Sequence, residues 1–191
     1  MIELKPTYRV ENIVASVVLD CRIDLERVAS VLPNVEYDPE QFPGLVIRLQ
    51  NPKAAVLVFN TGKMVVTGLK REEHAKIVVN KVIEKLRKAG IQIEGEPKIQ
   101  IQNIVSSGSI GAEIDLEMAA MTLEDALYEP EQFPGLIYRM KDPNVVFLLF
   151  SSGKIVCTGA KREEDVKSAV EKLAKQLVEL GLVGKPSSAE T

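Results

Sequence analysis

Residues 37–45 read YDPEQFPGL, and residues 128–136 read YEPEQFPGL. These two versions of one nine-residue loop lie 91 positions apart. At the same offset Asn12-Ile13-Val14 recurs as Asn103-Ile104-Val105. Gly62-Lys63-Met64-Val65-Val66-Thr67-Gly68 recurs as Gly153-Lys154-Ile155-Val156-Cys157-Thr158-Gly159, and Lys70-Arg71-Glu72-Glu73 as Lys161-Arg162-Glu163-Glu164. Residues 12–91 align with 103–182 without a gap, with 36 identities in 80 positions. Chance gives about one in seventeen for average composition, so the chain is a duplication. Two long repeats, unlike the many short ones of a solenoid, imply a pseudo-two-fold molecule. The repeats are taken as 1–91 and 92–182, with a disordered polar tail at 183–191.

The 191 residues are 46% hydrophobic, which excludes a disordered chain and leaves enough apolar side chain for a core. The longest apolar runs, 54–59 and 145–150, are far short of the ~20 residues of a membrane span. The first residues have neither a basic nor an apolar leader pattern, so no secretory signal is expected. Two Cys make no disulfide framework, and the default compartment is a reducing, cytoplasmic one. Net charge is −3, which argues against a generic nucleic-acid binder. The copies differ, however. Residues 1–91 hold 14 Lys plus Arg against 11 acids, or +3; residues 92–191 hold 10 against 16, or −6. Unlike ends suit a ligand with a direction.

Within one copy, residues 8–19 are rich in Val and Ile and predict a strand. Asp24 then precedes Leu25, Val28, Ala29 and Leu32, an N-cap followed by a helical stripe. Short strands are expected around 35–37, 45–50, 54–59 and 63–68, with turns at Asn51-Pro52 and Asn60-Thr61-Gly62. A helix over 72–89 closes the copy, with Gly90 beyond its end. The fold class is α+β, with about ten mainly antiparallel strands and four helices. Both strand faces are apolar: Ile13, Ala15 and Val17 on one, Val14 and Val18 with Asn12 and Ser16 on the other. Two helices per copy cover one face only. The other is either a binding surface or is buried against a twin or another domain.

Several matched residues stand out. Phe42 and Phe133 occupy Gln-Phe-Pro-Gly loops, where a ring either anchors the loop or forms an apolar wedge. Asn12 and Asn103 sit mid-strand, where Asn is depleted. Each is either a bulge or satisfied amide, or a group offered to a ligand's edge. Arg48/Arg139, Lys63/Lys154 and Lys70/Lys161 are cations retained in both copies and suit a phosphate rim. His74 reads as an exposed helix residue, and Cys21 and Cys157 as packing residues. No metal spacing exists. Gly62-Lys63 and Gly153-Lys154 lack the upstream glycine of a P-loop. Asp38/Glu40 and Glu129/Glu131 read as solvated or partner-contacting loop acids, since nothing beside them would raise a carboxyl pKa.

Together these motifs resemble the TATA-box-binding protein family, over about residues 6–182, and the acidic balance and short N-terminus are similar to archaeal members. The resemblance implies a saddle: a curved ten-stranded antiparallel sheet, four helices on its convex back, and a concave underside on the DNA minor groove. It implies that Phe42, Phe59, Phe133 and Phe150 wedge between base steps and that Asn12 and Asn103 read central acceptors. Val14, Val65, Val105, Val156, Leu57, Leu148, Thr67 and Thr158 would line the floor, and Arg48, Arg139, Lys63, Lys154, Lys70 and Lys161 would meet phosphates. It further implies a non-enzymatic initiation factor, nucleoid-associated in an archaeon and nuclear in a eukaryote, with no catalytic residue, metal or cofactor. Its partners would be TATA-box DNA, transcription factor B through Glu129 and Glu131, and RNA polymerase, with no membrane and with weak self-association through the concave face. Two other readings stand beside it. One is a protein-interaction scaffold that mates through the second face. The other is a base-modifying enzyme on a similar sheet, for which no unmatched catalytic Asp or Lys is found.

Overall fold

The structure is a computed structural model and describes residues 3–186. In chain order the elements of the first copy are β1 (Thr7–Val18), α1 (Leu25–Val31), β2 (Val35–Glu36), β3 (Leu45–Gln50), β4 (Lys53–Val58), β5 (Lys63–Leu69) and α2 (His74–Lys88). Those of the second are β6 (Lys98–Ser109), β7 (Ala112–Ile114), α3 (Leu116–Thr122), β8 (Ala126–Tyr128), β9 (Leu136–Lys141), β10 (Asn144–Leu149), β11 (Lys154–Ala160), α4 (Glu163–Glu179) and β12 (Val183–Pro186). Ten strands form one sheet in the order β2-β3-β4-β5-β1-β6-β11-β10-β9-β8, and β12 pairs with β7 apart from it. The four expected helices and ten-stranded sheet are all present.

Contacts divide the chain into two compact units, one of residues up to Glu11 together with those from Asn103 onward, the other Asn12–Gln102. Each unit thus takes the opening residues of its neighbour copy's first strand. In unit Asn12–Gln102 a hairpin run β3-β4-β5 is in register throughout: Val46 faces Leu57, Arg48 faces Ala55, Leu57 faces Val65. The other unit repeats this in β9-β10-β11, with Ile137 facing Leu148 and Leu148 facing Val156. The turns at Asn51-Pro52 and Asp142-Pro143 have cis peptide bonds.

The helices follow from their sequences. Asp24 and Asp115 cap α1 and α3, accepting from the Arg27 and Met118 amides at 3.2 and 3.1 Å. α2 buries Ala75, Val78, Val79, Val82, Ile83 and Leu86. Its β-branched residues each disfavour a helix by up to ~0.7 kcal/mol. Burying each returns ~1.5–3 kcal/mol, so packing decides the element. The helix begins at His74, so Glu72 and Glu73 precede it rather than forming its first turn, and His74 is half-buried rather than exposed. α4 does carry its acids, Glu163, Glu164 and Asp165, in the first turn. α2 packs on β5 and α4 on β11. Val183–Pro186, expected as the start of a disordered tail, instead pairs with Ala112–Ile114; residues 187–191 lie outside the described residues.

Strand alternation sorts each sheet face. Ile13, Ala15, Val17, Val56, Val58, Met64 and Val66 are all 5% exposed or less, beneath the helices. Their neighbours Val14, Leu57, Val65 and Thr67 are half-buried, on the face without helices. The second copy repeats this: Ile104, Phe147, Leu149 and Ile155 are buried, while Val105, Leu148, Val156 and Thr158 are half-buried.

Candidate nucleic-acid interface

The open face of unit Asn12–Gln102 is built around a bulge. Between β1 and β5 the register passes from Ala15 opposite Val66 to Ile13 opposite Leu69, so β5 holds one extra residue. Gly68 absorbs it at φ 91, a conformation a side chain would strain. The bulge takes the Gly68 amide out of the ladder, and Asn12 Oδ1 accepts from it at 2.7 Å. Asn12 Nδ2 then lies 3.4 Å from the Thr67 hydroxyl. The other unit repeats every part: Gly159 has φ 98, its amide donates to Asn103 Oδ1 at 2.6 Å, and Asn103 Nδ2 donates to Thr158 Oγ1 at 3.1 Å. Because an N–H must meet the carbonyl, the orientation of both amides is fixed with the NH2 on the far side. The bulge and satisfied-amide reading of these Asn is therefore correct, and it is also what leaves a donor beside the apolar row.

The rings lie at the other end of each row. Phe59 follows β4 at a turn in which its amide donates to the Lys63 carbonyl at 2.9 Å and its carbonyl accepts from the Gly62 amide at 3.0 Å. Phe42 is held by its amide's bond to the Asp38 carbonyl, 2.9 Å. The two rings meet edge to face at 5.9 Å and 66°; Phe133 and Phe150 do the same at 6.0 Å and 68°. Gly44 makes room, since a Cβ there would lie 2.7 Å from the Phe42 ring and 3.0 Å from the Phe59 ring. Phe42 and Phe133 are exposed, at 41% and 38%. Each loop therefore presents a ring pair, supported from below, to solvent.

Arg48 and Arg139 follow Val46 and Ile137 on the open side of β3 and β9, and both are exposed. Lys63 and Lys154 begin β5 and β11 beside the Phe-bearing turns; Lys70 and Lys161 follow the same strands, all exposed. Glu129 and Glu131 are exposed in the second Phe loop. Cys157 is buried, and burial pushes its thiol up to about 12, so it stays protonated through the neutral range. Burial, then Asp20, also raises Cys21. Among the described residues no group of three or more His, Cys, Asp or Glu is placed to hold a metal, and no helix is long and apolar enough to cross a membrane.

Three open-face residues escape the sequence reading. Glu11 Oε1 accepts from Ser107 Oγ at 2.7 Å and from Arg9 Nε at 2.8 Å, and its repeat mate Gln102 donates to Ser16 Oγ at 2.8 Å. Glu36 accepts from Arg48 at 3.3 Å. The signal for the first two is two consecutive polar residues, 11–12 and 102–103, where the alternation changes phase: polar Arg9 and Glu11 share a face before the change, polar Asn12 and Ser16 after it.

Comparison with known proteins follows the same duplication. The family model described as Transcription factor TFIID (or TATA-binding protein, TBP) matches residues 7–89 and again 98–180. A TATA-box-binding protein of Pyrobaculum islandicum is 56% identical over 178 residues, covering 93% of this chain and 89% of its own. That of Sulfolobus acidocaldarius is 53% identical over 189 residues, covering 99% and 95%. The solved structure of Methanococcus jannaschii TBP is similar with a TM-score of 0.81 at 49% identity, covering 90% of this chain and 98% of its own. With each repeat matched by the family model, and relatives alike over nearly the full length, this chain belongs to the TATA-binding protein family.

Proposed function

We propose that the chain is a non-enzymatic transcription-initiation factor that binds the minor groove of an A/T-rich TATA box and kinks it. The observation that carries this reading is the pair of amides clamped carbonyl-inward, Asn12 on Gly68 and Asn103 on Gly159, each leaving its NH2 beside a half-buried apolar row. The minor groove of A·T and T·A pairs offers only acceptors, whereas G·C adds a donor. A floor of Val14, Val65, Leu57 and their mates Val105, Val156 and Leu148 accommodates the first and leaves the second unpaired. The amide donors, with the hydroxyls of Thr67 and Thr158, meet acceptors. Such a floor separates A/T from G/C and hardly A from T.

The ring pairs Phe42/Phe59 and Phe133/Phe150 serve as wedges. Unstacking by minor-groove wedges costs a few kcal/mol per step, as is known for TATA-binding proteins among others. Burying a Phe side chain returns ~1.5–3 kcal/mol, so a ring pair offsets one kink. T-A steps unstack most readily, so deformability contributes much of the selectivity. Arg48, Arg139, Lys63, Lys154, Lys70 and Lys161 meet phosphates, and this local charge works despite a net −3. Transcription factor B, contacting Glu129 and Glu131, and RNA polymerase then assemble on the bent promoter.

Energy transfer between dyes on the two ends of a TATA-bearing duplex tests the reading. The full chain is expected to bring the ends together, Phe59→Ala or Phe150→Ala to lose much of that change, and Lys167→Ala, on the exposed side of α4, to keep it. An unbent duplex at saturating protein would remove the proposal and favour the scaffold.

A further inference from the structure

The units share the loop, the ring pair and the arginine, yet one residue beside the arginine differs. In β2 it is Glu36, opposite Val46; at the matched place in β8 it is Leu127, opposite Ile137. Val46 and Ile137 belong to the open row, and residues directly opposite in a ladder share a face, so Glu36 and Leu127 are both on the open face. Glu36 Oε2 accepts from Arg48 Nη2 at 3.3 Å. Arg139 has no carboxylate partner among the described residues, and the side chain at the matched place is a leucine, 53% exposed.

We infer that Glu36 is an electrostatic brake on Arg48, so that two units alike in their wedges grip an anionic backbone unequally, Arg139 strongly and Arg48 weakly. This rests on the proposed function in one respect, that both arginines face phosphates. The strength of the ion pair is not the point, since an exposed pair is worth little by itself. What matters is the charge seen by an arriving phosphate. At Arg139 it meets a full cation. At Arg48 it meets a cation whose field is largely cancelled beyond the pair, and an acid that repels it at contact. Fewer counterions are then released on binding in the Glu36 unit. The leucine in the other unit adds apolar surface in place of the acid.

Binding of the full chain and its variants to a TATA-bearing duplex, followed by fluorescence anisotropy across a salt series, tests this. Arg139→Ala should flatten the log–log salt slope by about 0.9, the value for one phosphate, and Arg48→Ala by less than half as much. Glu36→Leu, which copies the residue used in the other repeat, should steepen the slope and tighten binding several-fold. In that background Arg48→Ala should cost as much as Arg139→Ala does in the natural chain. Glu36→Gln should give the same trend if the leucine perturbs the fold, with thermal melts reporting stability for both. Equal losses from Arg48→Ala and Arg139→Ala in the natural chain, or an unchanged slope in both Glu36 variants, would overturn the brake while leaving phosphate contact intact. A slope indifferent to both arginines is a different pattern: it removes the phosphate reading and this inference with it.

Discussion

Asn12 is held mainly through its carbonyl end, and the division of labour between its two polar ends can be tested. Its Oδ1 accepts the Gly68 amide that the bulge leaves outside the ladder, while its Nδ2 has the long 3.4 Å contact to Thr67. In Asn12→Asp one carboxylate oxygen keeps the Gly68 bond and the second replaces the NH2. The fold should tolerate this, with a melting temperature close to that of the natural chain. Binding to A/T duplex should weaken at least tenfold, or ~1.4 kcal/mol, because an acceptor now meets an acceptor floor. Natural affinity in Asn12→Asp, measured beside a circular-dichroism melt, would show that the amide faces no base edge. The residue types at positions 12 and 103 were readable as anomalies in a strand; their orientation was not, because it depends on a bulge glycine 56 residues away in sequence. The acids Glu11 and Glu36 were not readable at all as open-face residues. A lone Glu in an amphipathic stretch looks like a solvated face, and only the ladder shows it sharing a row with Ser107 or Arg48.

At the scale of elements, period and punctuation were sufficient for the helices and the hairpins. The stripe Ala75, Val78, Val79, Val82 and Leu86 repeats at helical spacing, and Asp24 and Asp115 stand where N-caps belong. β7 and β12 were missed because three or four residues carry no period, and their pairing joins Ala112–Ile114 to the chain's far end. The duplication also exposes a flaw in one strand. Ser106 in β6 lies under the helices, 1% exposed, and its hydroxyl has no hydrogen-bond partner among the described residues. Its mate in β1 is Ala15, equally buried. An unsatisfied buried hydroxyl costs about 1–3 kcal/mol. Ser106→Ala should therefore raise the melting temperature by ~2–4 °C per kcal/mol recovered in a chain this size, with DNA binding unchanged. A lower melting temperature in calorimetry would mean that the hydroxyl has a stabilising partner after all. The same comparison separates α2 from α4. Arg27 donates to the Ala89 carbonyl at 3.0 Å at the end of α2, where its mate Met118 leaves α4 without such a bond from α3.

At the scale of the whole molecule the two ring pairs are near-identical, 5.9 Å and 66° against 6.0 Å and 68°, so they cannot distinguish the ends of a ligand. Charge can, since the copies carry +3 and −6. The two Phe loops do not themselves differ in acidity: Asp38 and Glu40 in one correspond to Glu129 and Glu131 in the other, all exposed. They are also built alike, with the Gln41 and Phe42 amides on the Asp38 carbonyl and the Gln132 and Phe133 amides on that of Glu129. What differs is the flank. Leu127 stands exposed beside the second loop, where Glu36 stands beside the first. The proposed contact of transcription factor B with Glu129 and Glu131 puts recruitment on the second copy, the more acidic of the two. Charge reversal at Glu129 and Glu131 should then abolish recruitment of transcription factor B to the bound duplex while leaving binary DNA binding in place. The equivalent reversal at Asp38 and Glu40 should leave recruitment intact. Gel-shift assays of the binary and ternary complexes distinguish the outcomes: normal recruitment by the second-loop variant, or equal loss from both loops, would mean that direction is set elsewhere in the chain.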